Sequence, residues 1–81
     1  MALITGFEVI DGEGRVNPTQ VVGHVRVFSG ADRAPIVQIN TMGSAGRETP
    51  GKVNQTIQLN RDSARVLFDI LKDAYGFKSE P

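Results

Sequence analysis

The clearest pattern of apolar and polar positions lies in the last third of the chain. Over residues 53–59 the two kinds of side chain alternate, with one gap at Gln55, which is typical of a half-buried strand. One face of this strand carries Val53, Ile57 and Leu59, and the other carries Asn54, Thr56 and Gln58. Asn60 then stands where a helix N-cap is preferred, and Gly76 follows the last apolar position as a stop signal. We therefore predict a helix from Arg61 to Tyr75.

This helix has more apolar surface than one sheet can cover. At about 100° per residue its apolar side chains span an arc of roughly 200°, whereas a helix on a single sheet needs little more than ~100°. We expect the centre of the arc to pack in the chain's own core, namely Ala64, Leu67, Phe68, Leu71 and Tyr75. Val66 and Ile70, on the flank, are predicted to pack on a second subunit. The alternative is that a curled sheet or an N-terminal segment covers both flanks.

Three earlier segments also have strand character. We predict strands over residues 3–10, 21–29 and 36–42, with turns at 11–14 and 30–33 and a loop of about ten residues before the last strand. The connections are too short for crossovers, so antiparallel neighbours are expected. The fold class is α+β: a four-stranded antiparallel sheet followed by one C-terminal helix (ββββα), forming a single domain over residues 1–81 and a homodimer.

The predicted sheet has two unlike faces. The apolar face, packed beneath Leu67, Phe68 and Leu71, would contain Val25, Val27, Val37, Ile39, Ile57 and Leu59. The opposite face, which we call the polar face, would contain His24, Arg26, Phe28, Gln38, Asn40, Asn54, Thr56 and Gln58, edged by Arg33, Arg47 and Lys52. An exposed aromatic ring can stack on a base, cations can neutralise phosphates, and amides can contact bases or backbone, so this face suits single-stranded nucleic acid. The alternative is the ordinary solvated face of an antiparallel sheet.

Composition narrows the function classes. Nine basic and nine acidic residues cancel, so any electrostatic site must come from local segregation of charge. The chain has no cysteine and one histidine, so we expect no disulfide, no metal site, no cofactor and no enzyme activity; Glu8, Asp11 and Glu13 are the nearest candidate metal ligands in sequence. The N-terminal apolar run is too short for a signal peptide or membrane span, which favours a cytoplasmic protein.

One segment matches the glycine and lysine spacing of a phosphate-binding loop. It runs from Gly46 to Lys52, but Val53 follows in place of the usual Ser or Thr, and Pro50 removes a backbone amide. A strand is predicted to follow it, whereas such a loop needs the start of a helix. We do not predict a nucleotide-binding loop, although Arg47 and Lys52 could still reach a phosphate backbone.

A family resemblance rests on the order of elements and two short motifs. Four strands and a C-terminal helix, with Pro50-Gly51-Lys52 before the last strand and Leu59-Asn60 before the helix, resemble the positive cofactor four family of single-stranded-DNA-binding coactivators. The resemblance covers roughly residues 25–75. It implies a homodimer without catalysis whose paired sheets form a groove for single-stranded DNA. The matching positions are Lys52 before the last strand, Arg26 and Phe28 on the second strand, and Val66 and Ile70 in the helix interface.

The prediction is thus a homodimer that binds single-stranded DNA, with RNA left open, and shows little sequence preference. Its binding residues are Arg26, Phe28, Arg33, Gln38, Asn40, Arg47, Lys52, Asn54 and Thr56, and its interface residues are Val66 and Ile70. The competing hypothesis is an interaction or structural module that engages another protein through its sheet edge or helix, with the polar face merely solvated.

Overall fold

The computed structural model describes residues 1–42 and 53–78, except for the side chains of Val53 and Asn54. These residues form four strands, one short 3₁₀ turn and one helix. The elements are β1 (Ala2–Ile4), β2 (Gly23–Ser29), the 3₁₀ turn (Ala31–Arg33), β3 (Pro35–Met42), β4 (Val53–Leu59) and α1 (Arg61–Tyr75). The α+β class with one C-terminal helix is confirmed.

Local sequence explains both ends of α1. The Asn60 side chain accepts a hydrogen bond from the Ser63 backbone N–H at 2.9 Å, and the Ser63 hydroxyl accepts one from the Asn60 backbone N–H at 3.1 Å. This reciprocal capping box satisfies two N–H groups that the first turn would otherwise leave unpaired. Gly76 ends the helix in the left-handed region at φ 70°, and its N–H donates to the Lys72 carbonyl. The predicted helix and both of its end signals are confirmed.

The sheet is mixed rather than wholly antiparallel. Its strand order is β1-β4-β3-β2, with β1 parallel to β4 and the other two pairs antiparallel. The prediction of antiparallel neighbours throughout was wrong because the first strand ends at Ile4 and does not continue to residue 10. Residues 5–22 are then free to connect β1 to β2 at the opposite edge of the sheet, which is long enough for a parallel crossover.

A tight hairpin joins β2 to β3 at the predicted turn. The Gly30 N–H donates to the Ala34 carbonyl at 2.8 Å, and the Arg33 N–H donates to the Gly30 carbonyl at 3.1 Å. Asp32 and Arg33 both have positive φ, at 63° and 60°. A Cβ atom at Gly30 would lie 2.8 Å from Cγ1 of Ile36, so glycine is the residue that fits this close approach.

The strand register confirms the two predicted sheet faces for the side chains that the structure describes, but the predicted core is only partly formed. Val25 and Val27 pair with Ile39 and Val37, so these four side chains share one face. The helix contacts β3 and β4, and Leu59, 4% exposed, is the one buried hydrophobic residue of the described chain. The helix leaves β2 uncovered, and Val25 and Val27 are each 65% exposed.

Burial also falls along the helix. Ser63 at its start is fully buried, whereas Leu71 is 40% and Tyr75 71% exposed. Phe68, which we assigned to the core, is 51% exposed, and Arg65 lies over its ring at 5.5 Å from the centroid. The assignment of Phe68, Leu71 and Tyr75 to the chain's own core was therefore wrong, because β3 and β4 leave these three side chains exposed. Within the described residues, no helix combines the length and apolarity needed to cross a bilayer.

Candidate functional site

The polar face is built by direct cross-strand pairing in the middle of the sheet. Gln38 of β3 pairs with Arg26 of β2 on one side and with Gln58 of β4 on the other. One step along β3, on the same face, Asn40 pairs with His24 and Thr56. Because directly paired residues project to the same side of a sheet, two polar rows cross three strands side by side.

Hydrogen bonds join the two rows into one chain, which we call the amide row: Gln58, Gln38, Asn40 and Thr56. Gln58 Nε2 donates to Gln38 Oε1 at 2.8 Å, and Gln38 Nε2 donates to Asn40 Oδ1 at 3.2 Å. Asn40 Nδ2 then donates to the Thr56 hydroxyl at 2.7 Å. Asn40 is only 7% exposed. The amide row is therefore ordered within the single chain. Asn40 orients its two neighbours, Gln38 and Thr56, by bonding both of them.

Charge is segregated on this sheet even though the chain as a whole is neutral. Strands β2, β3 and β4 contain no aspartate or glutamate, and Arg26 is their one formally charged side chain at neutral pH. Arg26 and His24 are exposed on the edge strand β2, and Phe28 follows on the same face with 38% of its surface accessible. A cation and an aromatic ring thus flank the amide row with no carboxylate in the three strands to compete.

The remaining predicted binding residues divide into two groups. Arg33 is exposed in the left-handed turn at the end of the β2–β3 hairpin. Asn54 lies in β4 next to a register shift at Thr41 and Met42, and its side chain is outside the described part. Arg47 and Lys52, like the whole segment that matches a phosphate-binding loop up to Lys52, lie outside the described residues. The structure therefore brings together Arg26, Phe28, Gln38, Asn40 and Thr56 from the predicted set.

A second feature is a concavity of ≈ 580 Å³ on the opposite face, at the start of α1. Pro35, Val37 and Leu59 form its apolar wall, and Arg61, Asp62 and Arg65 contribute charged groups. In the described part of the chain no three His, Asp or Glu side chains gather where they could hold a metal ion, and this includes the acidic residues of the 11–14 turn. The concavity is an open recess between sheet and helix.

Comparison of the chain with protein-family models, with curated proteins and with solved structures finds no significant match. The resemblance to the positive cofactor four family stays a prediction that rests on the element order and the two short motifs.

Two arrangements in the structure were not predicted from the sequence. Ser63 completes the capping box and is fully buried, a role that its position three residues after Asn60 signals. The hydrogen-bonded amide row was also missed, although alternating amides on consecutive predicted strands are the pattern from which it forms. Pairing register decides which amides meet, and register comes from the tertiary fold.

Proposed function

We propose that this chain binds single-stranded nucleic acid on the polar face of its sheet, with little sequence preference and as a homodimer. The observation that carries the proposal is the acid-free sheet with an exposed arginine and an exposed aromatic ring on one edge strand. Arg26 neutralises a phosphate and Phe28 stacks on a base, the two contacts that single-strand binding needs most.

The amide row explains why little sequence preference is expected. Its amide groups already donate to and accept from one another, so fewer donors and acceptors remain for the edges of bases. Affinity then comes from phosphate contacts and stacking, which do not depend on base identity. In this proposal Asn40 positions Gln38 and Thr56, and Arg33, Arg47, Lys52 and Asn54 also contact the nucleic acid.

The homodimer is part of the proposal because one copy leaves apolar helix surface exposed. Val66 is 37% exposed on the flank that we expect to meet a partner, and Phe68 and Leu71 add to it. Ile70, the other proposed interface residue, is half-buried in the single chain. A second subunit would also double the binding face and so raise the affinity for a long strand.

The test is fluorescence anisotropy of a labelled mixed-sequence strand of about 20 nucleotides, titrated at low and physiological salt beside the matching duplex. We expect salt-sensitive binding that prefers the single strand. Arg26→Ala should weaken binding to every sequence and lower the salt slope by about 1. The matched control is Arg61→Ala, which removes the same charge from the exposed first turn of α1. Equal effects of the two substitutions would contradict the proposed binding face.

A second candidate function is a protein-interaction module without nucleic-acid binding. The exposure of Val25, Val27 and Phe68 favours it, because large apolar side chains that one copy leaves exposed can pack on a protein partner. The same titration discriminates the two functions. Absence of binding at low salt would leave the polar face as solvated surface and make the apolar face the functional one.

A further inference from the structure

The connection between β1 and β2, which we call the connecting arm (residues 5–22), is unusual for so small a domain. It links strands at opposite edges of the sheet and contains neither helix nor strand over eighteen residues, between Ile4 and Gly23. Connections of this length without secondary structure are uncommon in compact domains and are often functional. The arm therefore needs a physical explanation beyond joining two strands.

The connecting arm carries large apolar side chains that touch little of their own chain. Val9, Ile10 and Val16 are 79%, 82% and 83% exposed, and Val22 is 78% exposed. Phe7 is the one arm residue that is half-buried, and the others are exposed. A connection that packed on its own sheet would bury these apolar side chains. Because they are exposed, the arm covers little of the sheet of its own chain.

The same chain also has a set of exposed apolar side chains on β2 and α1, which we call the uncovered face: Val25, Val27, Phe68 and Leu71. All four are exposed, Val25 and Val27 on β2 and Phe68 and Leu71 on α1. Arg65 stacks over Phe68 here and pairs with Asp69 at 3.4 Å, and the arm carries Glu8, Asp11 and Glu13 together with Arg15. The arm and the uncovered face are therefore matched in apolar character.

The chain exposes more surface than a compact domain of its mass. A folded monomer of 8.8 kDa is expected to expose about 4,800 Å². All 81 residues together, including those outside the described part, expose 7155 Å², roughly 2,400 Å² more than that expectation. Its radius of gyration is 15.1 Å, compared with about 12 Å for a compact domain of this length. A standard interface needs about 800 Å² per partner, which is about a third of this excess.

We propose that the connecting arm of one copy packs on the uncovered face of a second copy, and that the second arm does the same in return. A two-fold axis makes the exchange reciprocal, so one contact repeated twice covers both apolar surfaces. The proposal deepens the homodimer of the proposed function. It rests on that function only for the existence of the dimer, and it does not depend on nucleic-acid binding.

The first test uses the unaltered protein without nucleic acid. A sample mixed from ¹³C-labelled and unlabelled chains is measured by isotope-filtered NOE spectroscopy. We expect intermolecular contacts between the methyl groups of Val9, Ile10 or Val16 and the side chains of Val27 or Phe68. Three results would overturn the proposal: a monomer at the concentrations used, arm contacts that are wholly intramolecular, or a dimer whose intermolecular contacts omit the arm.

The second test measures dimer dissociation by sedimentation equilibrium. Val9→Asp combined with Ile10→Asp should raise the dissociation constant about a hundredfold or more, since each buried aliphatic side chain contributes roughly tenfold. The matched control is Thr19→Asp with Gln20→Asp, which adds the same charge at exposed polar positions of the arm and should change dissociation little. Equal effects of the two pairs would refute arm exchange. Intermolecular arm contacts in a protein that fails to bind single strands would refute the proposed function alone.

Discussion

Replacing Asn40 by alanine tests whether the amide row holds the sheet together. Asn40 accepts one hydrogen bond at 3.2 Å and donates another at 2.7 Å, and it is 7% exposed. Asn40→Ala removes both bonds and leaves Gln38 Nε2 and the Thr56 hydroxyl without their partners. A net hydrogen bond contributes about 1 kcal/mol, and orphaning partly buried groups adds to that. We therefore expect a loss of about 2–3 kcal/mol in the free energy of unfolding.

The matched control is Gln58→Ala at the end of the row. Gln58 donates one hydrogen bond, at 2.8 Å, and its removal leaves the bond between Asn40 and Thr56 intact. We expect a loss of about 1 kcal/mol. Urea unfolding at fixed protein concentration separates the two variants. With a slope near 1 kcal/mol per molar urea, the midpoints should fall by about 2 M or more for Asn40→Ala and by about 1 M for Gln58→Ala.

Two outcomes would refute this reasoning. If Asn40→Ala lowers the free energy of unfolding no more than Gln58→Ala does, Asn40 contributes no more to stability than a residue at the end of the row. If the double variant with Gln38→Ala shows strictly additive losses, the bonds do not act as a connected network, because residues that share a hydrogen bond should couple by at least about 0.5 kcal/mol.

The remaining predictions concern the two tight local structures. Asn60→Ala should lower the free energy of unfolding by about 1 kcal/mol in chemical denaturation, because it opens the capping box; Asp62→Asn, which weakens only the interaction with the helix dipole, should cost a few tenths. Equal losses would mean that the box contributes nothing. Gly30→Ala should cost about 1–3 kcal/mol, because the new Cβ meets Ile36 Cγ1 at 2.8 Å. An unchanged thermal midpoint would show that Ile36 moves aside freely.

The polar face and the uncovered face make different demands on this small domain. The polar face is ordered within one copy, since its hydrogen bonds join neighbouring strands of the same sheet. The uncovered face is apolar and exposed within one copy. Under the two proposals, the second copy covers the apolar face of the sheet and helix. The nucleic acid binds the polar face, which each copy orders without a partner.

Local structure could be read from residues close together in the sequence. The helix Arg61–Tyr75, its Asn60 cap and its Gly76 stop were predicted because propensity and capping act over a single turn. Strands β2, β3 and β4 were predicted within two residues at each end, since alternation reports burial of one face. The grouping of side chains into two faces followed from the same period of two.

Long-range partners required the tertiary structure. The first strand was predicted to be too long. Residues 5–10 are apolar enough for a strand, but no strand of the described fold pairs with them. Parallel pairing of β1 with β4, the hydrogen bonds of Asn40 and the exposure of Phe68 all depend on which distant segments meet. Local periodicity shows that a surface is apolar, but the identity of what covers it is a property of the whole chain and its partners, because burial is shared between segments far apart in sequence.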